Sequence, residues 1–152
     1  MPTRGVDRIL LTILMKRTIQ FRGKTTEGEW IYGSCISNKT YTNLDVAFIV
    51  PNLPCASEQH DLWTAQMFRV IPETIGQFTS LFDKKHNAIY EGDILQVADL
   101  PDKIEVRFVR GVFAFLWNGD LDDEWPCNSP TQEWAEIIGN IHDNPTLLKQ
   151  RS

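Results

Sequence analysis

Turn signals alternate with strand-length apolar runs between residues 71 and 97, and this alternation constrains the fold more than any other feature of the chain. Pro72 has a φ angle fixed at about −65°, which suits the first position of a helical turn and favours an extended residue before it. Gly76 permits the backbone angle that would close this turn. Segments 83–87 and 91–93 carry the Asp, Asn and Gly residues typical of loops and tight turns. The alternation therefore predicts a strand, a helical turn, a strand, a loop and a further strand.

The rest of the chain continues this pattern of short strands and tight turns. Residues 18–24 and 29–37 predict a hairpin, and residues 41–50 predict another strand. Apolar alternation and turn dipeptides predict three later strands, at residues 103–109, 112–117 and 134–141. Gly139 indicates a bulge or a close backbone approach within the last of them. The eight Phe and five Trp residues also favour strands and can supply core volume.

Three ordered motifs carry a family resemblance. The first is Ile-Pro-Glu-Thr-Ile-Gly-Gln-Phe-Thr at 71–79, continued by Asp83 and by Ile-Tyr-Glu-Gly-Asp-Ile at 89–94. The second pairs Phe-Arg-Gly-Lys at 21–24 with Gly-Glu-Trp-Ile-Tyr-Gly at 28–33. The third is Ile-Ile-Gly-Asn-Ile at 137–141, with Asn144 and Pro145 close behind. In this order and spacing, from about Met15 to Leu148, the chain resembles the YopX family of phage and prophage proteins. Residues 1–14 and 51–66 depart from the family pattern.

The resemblance implies a compact, mainly β protein with an SH3-like barrel in its second half, and it implies no known activity. We therefore expect an N-terminal hairpin region followed by an SH3-like β-barrel, with short helical turns. The expected division is an N-terminal extension at 1–14, dispensable for folding, and a YopX-like domain at 15–152. Within that domain, 15–70 would form the N-terminal β region and 71–148 the barrel part. Trp30 and Phe108 lie in strand-like runs with apolar neighbours, so both are expected to be buried.

The charge of the chain disfavours a general affinity for nucleic acid. A formal net charge of −5 repels a phosphate backbone at long range. A local basic cluster lies at Lys16, Arg17, Arg22 and Lys24, and its favoured interpretation is a set of solvated charges beside the first strand. The same cluster is the sole support for a nucleic-acid-binding face, which stays open as an alternative.

Short motifs bear on location and cofactors. The apolar run at 9–15 is too short to span a membrane, and no small-residue cleavage site follows it. We therefore expect no membrane association and a location in the cytoplasm of the bacterial host. Cys35, Cys55 and Cys127 form no Cys-x-x-Cys pair, so neither a zinc site nor a redox motif is predicted, and no cofactor is expected.

The sequence predicts no catalytic or metal site. His60, His86 and His142 lie in loop-like segments or at a strand end, where exposed histidines are usual, and none belongs to a known catalytic motif. The acidic run at 120–124 lacks the spacing and flanking helices of a calcium loop, so it predicts a solvated loop.

Polar residues on adjacent turns form the main candidate site. Six of them fit the family pattern: Glu73, Thr74, Gln77, Tyr90, Glu91 and Asp93. The favoured interpretation is that their side chains tie buried turns together, and the alternative is a shared polar site for a ligand or partner. Trp125 and Trp134 form a second candidate, a partner-binding surface, although a cap over one end of the barrel is the favoured role for them.

The function expected from these features is binding. We expect an accessory protein of phage or prophage origin that binds a protein partner, or a second copy of itself, and that is not an enzyme. A nucleic-acid-binding module is the alternative, because SH3-like barrels can bind nucleic acid. A third hypothesis is a small enzyme that uses the region of Glu73 and Asp93.

Overall fold

A computed structural model of the chain describes residues 17–39, 45–51, 66–98, 100–122, 124–127 and 134–148. The predictions for residues 1–14, for Lys16, Cys55 and His60, and for most of 51–66 lie outside these residues. Strands dominate the described part, which confirms the mainly β prediction. The helical segments within that part are too short to cross a membrane.

The first sheet is antiparallel and contains six strands, in the order β4-β3-β2-β1-β5-β6. These are β1 (Phe21–Lys24), β2 (Trp30–Lys39), β3 (Asp45–Pro51), β4 (Phe68–Val70), β5 (Gly76–Phe82) and β6 (Ala88–Tyr90). Strands β1 and β2 form the predicted hairpin. One 3₁₀ turn at Pro72–Thr74 joins β4 to β5, which confirms the helical turn predicted at Pro72.

The first sheet is strongly curled, so that the end of β4 meets the end of β1. The Ile71 amide donates a hydrogen bond to the Lys24 carbonyl oxygen, 2.8 Å away. Val70 packs directly on Gly23, where an added Cβ would lie 2.8 Å from a Val70 methyl carbon. The curl encloses a small core of buried apolar side chains, formed by Ala47, Ile49 and Val70. Gly23 is therefore needed for the close approach of the two strands.

The second sheet is also antiparallel and contains five strands, in the order β10-β9-β8-β7-β11. These are β7 (Asp93–Val97), β8 (Lys103–Val109), β9 (Val112–Trp117), β10 (Glu124–Pro126) and β11 (Ala135–Asn140), followed by a 3₁₀ turn at Pro145–Leu148. The predicted SH3-like barrel is not confirmed, because β10 and β11 stay as separate edges of this sheet among the described residues. The predicted irregularity at Gly139 is present as a register shift between Ile137 and Gly139.

The larger core lies on one face of the second sheet and receives side chains from the first. Its buried members are Ile89, Leu95, Ile104, Val106, Phe115 and Ala135, and Leu81 packs against them. Because Ile89 and Leu81 come from β6 and β5, the two sheets share this core. The chain crosses from one sheet to the other at residues 91–92, between β6 and β7.

The prediction that Phe108 is buried is wrong. Ile104 and Val106 are fully buried, and Phe108 shares their face of β8, but its side chain is 49% exposed. It lies at the hairpin end of the strand, beyond the shared core, and its ring packs edge-on against Phe113 with 5.2 Å between centroids. The alternation identified the correct face but did not show where the core ends.

We expect Phe108→Ala to lower the free energy of unfolding by only about 1 kcal/mol, because a half-exposed ring with one aromatic neighbour buries little apolar area. Phe115→Ala is the matched control: it removes the same side chain from the same face of the sheet, but from the buried core. Urea denaturation of both variants checks the expectation. A loss for Phe108→Ala as large as that for Phe115→Ala would contradict it.

Candidate functional site

The crossover turn at residues 91–92 is hydrogen-bonded to both sheets. The Glu91 amide donates to the Gln77 carbonyl oxygen at 2.9 Å, and the Gly92 amide donates to the Val106 carbonyl oxygen at 2.7 Å. Gly92 has a φ of +85°, which favours glycine. Gly76 opens β5 rather than closing the preceding turn, and an added Cβ there would overlap the Glu91 carbonyl oxygen. The two hydrogen bonds and the close approach at Gly76 therefore fix the position of this turn between the two sheets.

A buried ion pair joins the sheets beside this turn. Arg22 Nη1 on β1 lies 2.6 Å from Asp93 Oδ1 on β7, and the two side chains are 7% and 2% exposed. Asp93 Oδ2 accepts a hydrogen bond from the Tyr90 amide at 2.8 Å. Arg22 Nη2 donates to the Glu91 carbonyl oxygen at 3.2 Å. Burial raises the pKa of Asp93, while the Arg22 charge and the Tyr90 amide act against this effect.

Aromatic rings surround the guanidinium. The central carbon of Arg22 lies 4.8 Å from the Trp30 ring centroid and 5.2 Å from that of Tyr90. Tyr32 meets Tyr90 edge-on, with 5.4 Å between centroids, and Tyr90 also packs against Phe78. The Trp30 and Tyr90 rings therefore add cation–π attraction to the Arg22–Asp93 ion pair. Burial raises the pKa of the Tyr90 hydroxyl, and the nearby Tyr32 adds to this effect.

An open cleft of about 450 Å³ lies over this ion pair. Polar and aromatic residues dominate its lining, and they are Arg22, Tyr32, His86, Asn87, Tyr90 and Asp93. Ile137 of β11 lines the side formed by the second sheet, so the cleft lies where the edge strands β6 and β11 face each other. We refer to it as the Tyr32–Tyr90 cleft.

Asp83 builds the loop that forms one wall of the cleft. Its side chain is fully buried. Oδ1 accepts hydrogen bonds from the Lys85 and Asn87 amides, each at 2.8 Å. Oδ2 accepts from Asn87 Nδ2 and from the Ile137 amide, each at 3.1 Å. One carboxylate therefore shapes the loop that carries His86 and also fastens it to the edge of β11.

Comparison with known proteins places the chain in a family. The family model described as YopX protein matches residues 20–149. The chain belongs to the YopX family. A crystal structure of protein EF1440 from Enterococcus faecalis is similar, with 24% sequence identity and a TM-score of 0.48, over 86% of this chain and 98% of that chain. No curated protein matches the YopX-family chain.

The structure separates the six predicted site residues of this YopX-family chain. Tyr90 and Asp93 line the cleft. Thr74 is buried, and its hydroxyl donates to the Ile71 carbonyl oxygen at 2.6 Å and accepts from the Lys24 amide at 2.8 Å. Glu91 Oε1 accepts from the Phe108 amide at 3.2 Å. Gln77 contributes its backbone carbonyl oxygen, which accepts the hydrogen bond from the Glu91 amide. Glu73 is exposed, and its side chain makes no hydrogen bond or ion pair with the described residues.

We expect adjacent alanine substitutions in the 3₁₀ turn to have different effects. Thr74→Ala should lower the free energy of unfolding by about 1–2 kcal/mol, because it leaves the part-buried Lys24 amide without its acceptor. Glu73→Ala should change it by less than about 0.5 kcal/mol, as for most exposed side chains. Chemical denaturation measures both, and Thr74→Ser, which keeps the hydroxyl, is the control. A larger loss for Glu73→Ala than for Thr74→Ala would contradict this assignment.

Sequence reasoning missed Arg22, Tyr32, His86 and Asn87 as cleft residues. Arg22 pairs in register with Tyr32 across the β1–β2 hairpin, which puts both on one face of the sheet. The hairpin was predicted, so this register could have shown that the two residues are neighbours. The register of the hairpin could not have shown that Arg22 contacts Asp93, because this contact joins strands of two separate sheets.

The basic cluster is partly neutralised in the structure. Arg22 is buried against Asp93, and Lys24 forms an ion pair with Asp143. Asp143 Oδ2 also accepts from Trp30 Nε1 at 2.8 Å. The hydrogen bond from Lys24 does most to hold the pKa of Asp143 well below its usual range, and those from Asn140 and Trp30 add to this effect. The contacts fasten the turn after β11 to the first hairpin.

The remaining candidates lie away from the cleft lining. Trp134 is half-buried and packs edge-on against Phe115, with 5.7 Å between centroids, so it contributes to the shared core. Trp125 lies on the edge strand β10 and is exposed. The Cys35 and Cys127 thiols are free, and burial raises the pKa of Cys127 to about 12. In the part of the chain that the structure describes, no three His, Cys, Asp or Glu side chains are grouped as a metal site would require.

Proposed function

We propose that this YopX-family chain is a phage- or prophage-derived accessory protein that acts in the cytoplasm of the bacterial host by binding a protein partner through the Tyr32–Tyr90 cleft. The observation that carries the proposal is the composition of this cleft. Two tyrosines and an arginine line it, and Tyr32 is 44% exposed. Tyrosine and arginine are among the residues that contribute most to binding energy at protein interfaces.

The geometry around the cleft also supports binding. The Arg22–Asp93 pair and the Asp83 loop hold the walls in place, so a partner would meet a preorganised surface and would lose less entropy in ordering it. Both oxygens of Asp93 are already engaged, which does not suit a general base. Arg22 and Lys24 are paired within the chain, so they offer little free charge to a phosphate backbone.

Site-specific crosslinking in the bacterial host tests the proposal. p-Benzoylphenylalanine in place of Tyr32 should give a discrete adduct with one host or phage protein. The same probe in place of Val112, an exposed position at the β8–β9 hairpin, should not give that adduct. An adduct formed with a second copy of this chain would assign the cleft to self-association and would overturn the choice of a different partner.

Binding to the purified partner then provides the quantitative test. Tyr32→Ala should weaken the affinity roughly tenfold or more, as expected for a hot-spot residue. Ile36→Ala is the matched control, since Ile36 is exposed on the same face of β2 but does not line the cleft. Equal affinities for Tyr32→Ala and the unaltered protein would overturn the proposal.

A further inference from the structure

Strand β6 presents an open edge to the Tyr32–Tyr90 cleft. The Glu91 amide donates a hydrogen bond to β5, and the Asn87 carbonyl oxygen accepts one from the residue that follows β5. Because the backbone groups of successive residues point to opposite edges of a strand, those of Ala88 and Tyr90 point away from β5. No described strand lies on that side of β6, and both residues line the cleft.

Carboxylates occupy two backbone amides beside this edge, but not the amide of Ala88. Asp93 Oδ2 accepts from the Tyr90 amide at 2.8 Å, and Asp83 Oδ2 accepts from the Ile137 amide of β11 at 3.1 Å. The Ala88 amide and carbonyl oxygen have no hydrogen-bond partner among the described residues. Ala88 therefore offers both a backbone donor and a backbone acceptor to a ligand in the cleft.

The gap between β6 and β11 has a limited length. The Lys84 amide donates to the Ala135 carbonyl oxygen at one end, and the Ile141 amide donates to the Gly92 carbonyl oxygen at the other, each at 2.9 Å. Strand β6 itself contains three residues. A peptide that lies along β6 would therefore be extended over about three residues, roughly 10 Å, before both of its ends turn out to solvent.

The side chains of the lining suit an uncharged ligand. Asp93 neutralises Arg22, so this pair leaves no net charge in the cleft. Asn87 donates through Nδ2 to Asp83, which leaves its Oδ1 as an acceptor. The Tyr32 hydroxyl makes no hydrogen bond with a described residue and can donate or accept one. A peptide main chain matches this lining, because it carries donors and acceptors but no net charge.

We infer that the Tyr32–Tyr90 cleft binds an extended peptide segment of the partner, whose main chain pairs with β6 at Ala88. The inference rests on the proposed function and specifies how the partner binds. In such strand addition, main-chain hydrogen bonds provide affinity and alternate side chains provide specificity. Residues of the segment opposite Ala88 and Tyr90 would direct their side chains to the face on which the Tyr32 and Tyr90 rings meet.

Linear peptides selected on the purified full chain from a random phage-displayed library provide the probes. Each selected peptide is synthesised with blocked ends and titrated into the chain, with the backbone amide NMR signals as the readout. The Ala88 signal should move, and its hydrogen exchange should slow roughly tenfold or more, since a hydrogen-bonded amide exchanges only after local opening. The signal of Val112, which lies at the β8–β9 hairpin outside the cleft lining, should stay unchanged.

N-methyl scanning of the selected peptides identifies their main-chain contacts. Methylation of the amides that face β6 should weaken binding roughly tenfold or more, whereas methylation of the alternate amides, which face away, should have little effect. Ala88→Pro removes the amide from the chain itself at an edge position, where proline is tolerated, and it should weaken the same peptides by a similar factor. Should Ala88→Pro fail to fold, the methylation series decides the question.

Three results would overturn the inference: no selected peptide that moves the Ala88 signal, bound peptides that are helical, or equal weakening by N-methylation at every position. Protection of Ala88 that grows with the concentration of the chain alone would assign this edge to a second copy and reject a different partner. These results are distinct from failure of the proposed function. A partner that crosslinks at position 32 and leaves the exchange of the Ala88 amide unchanged would support binding at the cleft but reject strand pairing.

Discussion

Asp93→Ala is expected to lower the free energy of unfolding by about 3–5 kcal/mol, the usual cost of removing one member of a buried ion pair. The substitution leaves the Arg22 guanidinium charged and buried without its partner. It also removes the acceptor of the Tyr90 amide at the end of the first sheet. Since the pair joins the two sheets beside the crossover turn, the loss should affect the whole fold.

A double-mutant cycle in urea measures this contribution. Asp93→Leu combined with Arg22→Met should be more stable than either single variant, because it leaves no buried charge without a partner. Arg110→Ala is the control for a surface pair: Arg110 is 77% exposed in its contact with Glu124, and its removal should cost about 0–1 kcal/mol. If Asp93→Ala cost no more than Arg110→Ala, the buried pair would not stabilise the fold as argued.

Turns and strands could be predicted from the sequence because each depends on the residue types within a short segment. Pro72 begins a 3₁₀ turn, and Asn118 and Gly119 have φ angles of +53° and +76°, as expected for a tight turn. The strands follow from apolar alternation, and the mainly β class follows from the strands. Each of these predictions required only a short segment of the chain.

Long-range features were not readable to the same extent, because periodicity gives the face of a strand but not its partner. The SH3-like barrel came from the resemblance, and it is not confirmed, because the described strands form two sheets and no closed barrel. Strands β5 and β6 lie within residues 71–148, the range expected to form the barrel part, but they pair with strands of the first sheet. Tyr90 and Asp93 were identified as candidate site residues, whereas Arg22 was assigned to a solvated basic cluster. Its contact with Asp93 brings together residues far apart in the sequence, and no local pattern shows such a contact.

Asp83 provides the second large expected effect, and it depends on pH. Burial acts to raise the pKa of Asp83, but hydrogen bonds from Asn87, Ile137 and Lys85 stabilise the carboxylate more strongly and lower the pKa below its usual value. A carboxyl group with a lowered pKa stabilises the fold above its unfolded pKa of about 3.9. That stabilisation is lost as the pH falls through the lower folded pKa.

Asp83→Asn keeps the shape of the side chain but replaces one acceptor oxygen with a donor. At pH 7 this should cost about 2–4 kcal/mol, because two of the four donors around Asp83 would lose their acceptor. The difference in unfolding free energy between the unaltered protein and Asp83→Asn should shrink as the pH falls below about 4, where Asp83 of the unfolded chain takes up a proton, and it should level off once the pH is below the lower folded pKa. Taking the difference at each pH removes the effect of the other carboxyl groups.

Glu73→Gln is the matched control for this pH series, since Glu73 is exposed and its side chain makes no hydrogen bond or ion pair with the described residues. Its difference from the unaltered protein should stay near zero at every pH. The measurement is urea denaturation from neutral pH downward, over the range in which the protein still unfolds in one step. A difference for Asp83→Asn that stays constant from pH 7 to about 3 would show that the charge on Asp83 is not what holds the loop to β11.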